Sequence, residues 1–190
     1  MPLILASNSP RRKDLLAQIG IAPDKIIAAD IDESPLKKEL PRDYALRMAR
    51  EKAAKIYQDN KYDFVLSADT VVCCGRDILP KAEKDSEVEA CLHKLSGRSH
   101  QVITSICLIA PDGKESQKSV ISRVIFKRLS KAEIDNYIKN GEGIGKAGGY
   151  AIQGLAGSFI KNINGSYSSI VGLPLCETSN MLIGMGYKHG

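Results

Sequence analysis

The sequence contains few aromatic residues and no tryptophan: aromatic residues make up 5% of its 190 residues. Proteins that bind single-stranded nucleic acid stack the bases on aromatic side chains, so this scarcity disfavours that class. The net charge of +5 is spread along the chain without a block of lysines and arginines, which disfavours a duplex-binding surface. A small anionic ligand fits this charge balance better, and we expect no stable nucleic-acid partner.

The sequence also lacks the patterns of a zinc site and of a membrane span. Its five cysteines include no C-x-x-C pair, and His93, His100 and His189 do not combine with them at zinc-ligand spacing. We expect free thiols and a cytoplasmic protein. No apolar run has the length of a transmembrane helix, and no signal-peptide pattern is present, so we expect neither export nor a membrane span.

The remaining composition is that of a soluble globular protein, and the length fits one domain over residues 1–190 with two lobes. The patterns predict strands at 3–6, 26–29, 64–72, 100–109, 119–127 and 159–163. They predict helices from Pro10 to a stop at Gly20, at 41–57, around 88–95, at 130–139 and at 174–185. Because helices alternate with strands, we expect an α/β fold with a mixed sheet.

Asp69 interrupts an apolar run, 64–72, that otherwise has the length and the β-branched content of a buried central strand. An ionised carboxylate in such a strand is costly unless it is paired, hydrogen-bonded or bound to a metal. A partner would therefore make Asp69 part of a site. Alternatively, Asp69 ends the strand and caps a turn, and this segment alone leaves both interpretations open.

The segment Ser7-Asn8-Ser9-Pro10-Arg11-Arg12 joins a short apolar strand to a helix. We expect Ser9 to cap this helix and Pro10 to be its first residue. Free N–H groups at a helix N-terminus, hydroxyl groups and two guanidinium groups together suit a phosphate. The alternative is a plain capped helix with two solvated arginines, although cations in a first helical turn are mildly unfavourable.

An acidic loop follows the second predicted strand and contains Asp30, Asp32 and Glu33. Divalent cations that bind triphosphates are held by one or two carboxylates together with phosphate oxygens and waters. The loop therefore predicts a metal site near Asp69, and a solvated turn is the alternative.

Two lysines and a glycine-rich stretch complete the candidates. Lys52 lies on the apolar stripe of the helix at 41–57, and Lys81 follows a proline. Both could neutralise phosphate, or their ammonium groups could simply extend to solvent. The glycines of 145–154 permit close approach of a ligand, but their order matches neither a P-loop nor a dinucleotide site.

Seven segments carry a family resemblance from end to end of the chain. They are LASNSPRR (5–12), DIDESP (30–35), AREKA (49–53), SADTVV (67–72), LSGRSHQV (95–102), KAGGYAIQG (146–154) and NGSYSSIVGLPL (164–175). In this order they resemble the Maf family of nucleoside triphosphate pyrophosphatases. The resemblance implies an extended mixed sheet flanked by helices in two lobes with a central cleft, similar to inosine triphosphate pyrophosphatases. It also implies hydrolysis between the α- and β-phosphates, giving a monophosphate and pyrophosphate with Mg²⁺ or Mn²⁺.

The resemblance further implies roles for individual residues. Asp69 would be the proton acceptor, with Lys52 and Lys81 as catalytic residues and Glu33 joining Asp69 at the metal. Substrate would be bound by Ser7, Ser9 and Arg12, and substrate choice would depend on Arg11, Thr70 and Gln153. An amide at 153 can match the N3–H donor and the carbonyl acceptor of thymine or uracil, which favours the dTTP/UTP subfamily. A homodimer is compatible with the resemblance.

The alternative function is that of a regulator of septum formation, which binds nucleotide but does not hydrolyse it.

Overall fold

The computed structural model describes residues 1–188, so His189 lies outside the described residues. Within them, seven strands form one mixed sheet in the order β2-β1-β3-β5-β6-β7, with β4 paired to β3. The strands are β1 (Leu3–Leu5), β2 (Lys25–Ile26), β3 (Phe64–Cys74), β4 (Asp77–Leu79), β5 (Ser99–Ile109), β6 (Glu115–Phe126) and β7 (Ile160–Asn164). The mixed sheet with flanking helices confirms the predicted fold class.

The helices are α1 (Pro10–Gln18), α2 (Pro41–Tyr57), α3 (Asp85–Leu95), α4 (Lys131–Asn140), α5 (Tyr167–Val171) and α6 (Leu175–Gly184), with a short 3₁₀ helix at Leu155–Phe159. Helix α4 shows why the local sequence specifies its start. The Ser130 side chain accepts from the Glu133 N–H, and the Glu133 carboxylate accepts from the Ser130 N–H, so two free donors are satisfied at once. Over the described residues, no helix is long and apolar enough to cross a membrane.

The long strand β3 connects two hydrophobic cores. It runs parallel to β1 near its start and antiparallel to β5 along most of its length. Leu66 belongs to a core with residues of α1 and α6, whereas Val72 belongs to a core with residues of α3 and α4. On the other face of the sheet, Ala49 of α2 and Val65 of β3 belong to a third hydrophobic core. Asp69 lies midway along the strand, between the two cores.

Several local predictions differ from the structure. The second strand was expected at 26–29 but occupies Lys25–Ile26, because its partner β1 is only three residues long and leaves little edge to pair with. Strand β4, α5 and the 3₁₀ helix were not predicted, since three to five residues are too short to show a period. Ser9 occupies the N-cap position of α1, but its side chain makes no capping hydrogen bond.

Candidate active site

One large cavity of about 780 Å³ opens beside the middle of β3. All ten site residues predicted from the sequence line it: Ser7, Ser9, Arg11, Arg12, Glu33, Lys52, Asp69, Thr70, Lys81 and Gln153. They come from α1, α2, β3 and four loops, so only the tertiary fold brings them together. Of the three acidic residues in the 30–33 loop, Glu33 alone lines the cavity.

Asp69 is a mid-strand residue, not a strand terminus. It pairs in register with Ser105 of β5, and β3 continues for five residues beyond it, to Cys74. The interpretation of Asp69 as a turn cap is therefore wrong. Only 8% of the residue is exposed, and its carboxylate faces the cavity, which explains why a charge can interrupt a buried strand.

Lys52 joins the two carboxylates of the site. Its Nζ lies 2.6 Å from Oδ1 of Asp69 and 2.9 Å from Oε1 of Glu33. The Lys52 side chain is 11% exposed, so its ammonium points into the cavity wall and not to solvent. The alternative in which this lysine extends to the surface is wrong. An ion pair of this kind offsets much of the cost of burying Asp69.

Arg12 is held by three oxygen acceptors from different parts of the chain. Its Nη1 donates to Ser7 Oγ at 2.8 Å, its Nε to the Gly172 carbonyl at 2.9 Å, and its Nη2 to Thr70 Oγ1 at 3.4 Å. Burial lowers the pKa of the guanidinium, and Asp69 opposes that effect. A half-buried cation fixed in this way is prepared for an anion, and the alternative of a solvated Arg12 is wrong.

A chain of hydrogen-bonded hydroxyl groups leads from Arg12 into the protein interior. Thr104 Oγ1 donates to the Ser169 carbonyl at 2.7 Å and lies 2.9 Å from Thr70 Oγ1. Because the Thr104 proton is used on the carbonyl, the Thr70 hydroxyl donates to Thr104 and can accept from Arg12. Thr104 and α5, which carries Ser169, were not found by sequence reasoning because their role depends on contacts between distant segments.

The glycine-rich stretch anchors Lys81. Lys81 and Ala147 form an antiparallel bridge, flanked by hydrogen bonds from the Ala82 N–H to the Lys146 carbonyl and from the Gly148 N–H to the Pro80 carbonyl. Gly148 has a φ of +67°, and a Cβ there would lie 2.7 Å from a methyl carbon of Val72. Only glycine allows the loop to approach β3 this closely.

Two more polar residues line the cavity and were not singled out from the sequence. Lys146 donates to the Ile144 carbonyl at 3.2 Å, and burial, Arg11 and Lys81 lower its pKa against the effect of Glu142. The Tyr44 hydroxyl donates to the Glu33 carbonyl at 2.6 Å. Burial, followed by the charges of Asp69 and Glu33, raises the pKa of Tyr44 to about 12. Tyr44 lies two helical turns before Lys52, so the stripe of α2 could have predicted it.

The carboxylates of the cavity fit a divalent cation only if substrate and water supply the remaining ligands. No group of three or more histidine, cysteine, aspartate or glutamate side chains within residues 1–188 could hold a metal by itself. Glu33 and Asp69 nevertheless face the cavity and meet at one ammonium group. A divalent cation that takes most of its ligands from phosphate oxygens and waters needs only one or two carboxylates from the protein.

The fold is a mixed α/β sheet whose cavity combines fixed cations with a buried carboxylate, and this arrangement suits a small phosphorylated ligand. Residues 2–185 match the family of Maf-like proteins. The chain therefore belongs to the Maf-like family, which confirms the resemblance found in the sequence.

The chain is also similar to individual proteins, in sequence or in structure. The chain is 58% identical to a dTTP/UTP pyrophosphatase of Caulobacter vibrioides, covering 98% of this chain and 96% of that one. It is 56% identical to a dTTP/UTP pyrophosphatase of Mesorhizobium japonicum, covering 98% and 92%. Among solved structures it matches a nucleoside-triphosphatase, dITP/XTP pyrophosphatase, of Mycobacterium abscessus with 17% identity and a TM-score of 0.46, over 68% of this chain and 74% of that one.

Proposed function

We propose that the protein hydrolyses dTTP and UTP to the nucleoside monophosphate and pyrophosphate, removing excess or non-standard pyrimidine nucleotides. The observation that carries this proposal is the convergence of Asp69, Lys52 and Arg12 on one cavity together with Lys81 and Gln153. The names of relatives that are more than half identical over nearly their full length support it. A protein that only binds nucleotide needs no proton acceptor in its binding cavity, so the regulatory alternative is less well supported.

In this proposal Asp69 accepts the proton of the attacking water. The water oxygen bonds to the α-phosphorus, and the bond from that phosphorus to the bridging oxygen breaks. Pyrophosphate then leaves with the electron pair. Lys52 orients the Asp69 carboxylate through its 2.6 Å contact, because a base must be held within hydrogen-bonding reach of the proton that it takes.

The cations of the cavity stabilise the triphosphate. Arg12 is fixed by three acceptors, and Lys81 is fixed by the glycine-rich loop. The Arg12 guanidinium is already oriented when negative charge moves to the leaving group, which is the arrangement that lowers a barrier most effectively, whereas the bridge fixes only the backbone of Lys81 and its side chain is exposed. Ser7 and Ser9, in the turn before α1, would add hydroxyl donors to the phosphates.

Glu33 and Asp69 would hold Mg²⁺ or Mn²⁺ together with phosphate oxygens and waters. Such an ion, when bound, neutralises phosphate charge and polarises the phosphoryl group. Chelation with EDTA, followed by return of Mg²⁺ or Mn²⁺, tests this assignment. Turnover that is indifferent to the chelator would contradict it.

Base choice is assigned to Gln153, with Arg11 and Thr70 nearby in the cavity wall. The Gln153 amide offers one acceptor and one donor, which match N3–H and a carbonyl of thymine or uracil. A carboxylate at this position would instead suit the donor-rich edge of guanine.

The experiment that tests the proposed function is a panel of nucleoside triphosphates, with products separated by chromatography. Release of orthophosphate in place of pyrophosphate, or a preference for 7-methyl-GTP, would overturn the proposal.

The compartment and the assembly are also proposals. All five cysteines are free, which supports a reducing cytoplasmic environment. The homodimer stays a prediction, and sedimentation of the purified protein tests it.

A further inference from the structure

The loop that carries Gln153 is fixed at both ends by side chains outside the cavity. We define the Gln153 loop as residues 151–155. At its start, the Ala151 N–H donates to the Tyr137 hydroxyl at 3.1 Å. At its end, the Leu155 N–H donates to Glu142 Oε1 at 3.1 Å. Both acceptors belong to α4 or to the turn directly after it, so one structural unit holds the whole loop.

Glu142 reaches the loop because residue 154 has no side chain. A Cβ on Gly154 would lie 1.7 Å from Oε1 of Glu142 and 2.3 Å from its Cδ. The backbone of Gly154 has a φ of −113°, so left-handed geometry is not the reason for a glycine here. The space that a side chain would fill is occupied by the Glu142 carboxylate.

Tyr137 and Glu142 also act on each other. Tyr137 is 1% exposed, and burial raises the pKa of its phenol, with the nearby Glu142 carboxylate adding to the effect. The phenol therefore stays protonated, and its oxygen is available to the Ala151 N–H. The two acceptors form a single clamp on the Gln153 loop.

We propose that Glu142, together with Tyr137, is a positioning residue that sets nucleobase choice by fixing the Gln153 loop. This inference rests on the proposed pyrophosphatase function. Its physical reason is that a primary amide carries its N–H donors on one side and its acceptor oxygen on the other, and rotation about the last side-chain bond exchanges the two sides. A loosely held Gln153 could match cytosine as well as thymine, whereas a fixed backbone limits where the amide can meet the base.

The first test compares Glu142→Ala with Glu142→Gln. We expect Glu142→Ala to lower the ratio of kcat/KM for dTTP to kcat/KM for dCTP by about tenfold or more, since a misplacement near 1 Å can cost about a hundredfold. The loss should appear mainly as a higher KM for dTTP. Glu142→Gln retains an oxygen that can accept from Leu155, and we expect its ratio to stay within about threefold of the unchanged protein.

The second test approaches the same contact from the other side. In Gly154→Ala the new Cβ meets the far end of a flexible side chain, so the protein should fold and expel the Glu142 carboxylate. We expect this variant to reproduce the specificity loss of Glu142→Ala. The double variant should be no worse than the single ones, because both changes remove one interaction.

A matched control separates positioning from simple loss of stability. Glu133 lies at the start of α4 and completes its capping box, so Glu133→Ala should lower Tm without changing the dTTP/dCTP ratio. Hydrogen exchange of the Leu155 amide gives a readout that needs no substrate. It should accelerate about tenfold in Glu142→Ala and Gly154→Ala and stay unchanged in Glu133→Ala.

The outcomes distinguish this inference from the proposed function. If the unchanged protein releases no pyrophosphate from dTTP, the proposed function fails, whatever the amide exchange. If it does release pyrophosphate and Glu142→Ala leaves the dTTP/dCTP ratio or the Leu155 exchange unchanged, the positioning role is overturned. An equal loss in Glu142→Gln and Glu142→Ala would also overturn it, because the retained acceptor would then be irrelevant.

Discussion

The ammonium nitrogen of Lys52 lies 2.6 Å from Oδ1 of Asp69, and each of the two side chains is 11% exposed. The contact joins helix α2 to the middle of strand β3, across 17 residues of sequence. It explains how a carboxylate can occupy a buried strand. It also makes the stability of the protein and the chemistry of the cavity depend on the same two residues.

Removing one partner of this pair should destabilise the fold. Lys52→Met leaves Asp69 buried without its close cation, and we expect the free energy of unfolding to fall by about 3 kcal/mol, as for other broken buried pairs. Urea denaturation measures this change. The double variant Lys52→Met with Asp69→Asn should recover much of the loss, and equal destabilisation in the single and double variants would contradict the ion-pair account.

Substituting Arg12 by lysine should weaken substrate binding although the charge is kept. An ammonium group cannot reach Ser7 Oγ, the Gly172 carbonyl and Thr70 Oγ1 with the geometry of the guanidinium fork. We expect KM for dTTP to rise by at least about tenfold. Arg50→Lys is the control, since Arg50 pairs with Glu115 on the surface, and a similar rise in that variant would argue against a specific role for Arg12.

The hydroxyl of Thr104 should contribute to stability and to the placement of Thr70. Thr104→Val has nearly the same shape but leaves the buried Ser169 carbonyl and the Thr70 hydroxyl without this partner. We expect a loss of about 1–3 kcal/mol in the free energy of unfolding. Within the described residues, the buried Thr178 Oγ1 has no hydrogen-bond partner, so Thr178→Val should be neutral or stabilising. Similar losses in the two variants would contradict the hydrogen-bond chain.

The fold should lose stability in mild acid because of His100. Burial lowers the pKa of His100 to about 4 from its ordinary value of 6.5, and its Nε2 contacts the Tyr150 hydroxyl at 2.8 Å. Between those two values the unfolded chain binds a proton that the folded chain does not, so stability falls as pH decreases through this window. At pH 5 the loss relative to pH 7 is about 2 kcal/mol.

Urea denaturation at the two pH values measures this loss. In His100→Gln the pH dependence should be smaller, because the group that binds the extra proton in the unfolded chain is removed. A pH dependence that is the same in His100→Gln as in the unchanged protein would assign the effect to other groups.

The sequence predicted those parts of the site that depend on local patterns. The interrupted strand drew attention to Asp69, the stripe of α2 placed Lys52 on the inner face, and the S-x-S-P-R-R segment indicated an anion-binding turn. The resemblance then assigned roles to the same residues. Strand β3 and helix α2 could be found because each is long enough to show its period.

The parts that could not be predicted depend on contacts between distant segments. Thr104 supports Thr70 across 34 residues of sequence, and the bridge from Lys81 to Ala147 joins a strand end to a loop. Glu142 accepts from the Leu155 N–H because Gly154 leaves room for its carboxylate. In each case the sequence shows an ordinary polar residue or glycine, and only the tertiary fold gives it a partner.

Conversion of Asp69 to asparagine tests the central claim most directly. The amide keeps the size of the side chain and can still accept from Lys52, but it cannot take a proton from water. Asp30→Asn is the matched control, because Asp30 is exposed and does not line the cavity. We predict that Asp69→Asn folds, binds dTTP and loses about a thousandfold or more in the rate of pyrophosphate release, whereas Asp30→Asn retains the original rate. An unchanged kcat in Asp69→Asn would contradict the assignment of Asp69 as the proton acceptor.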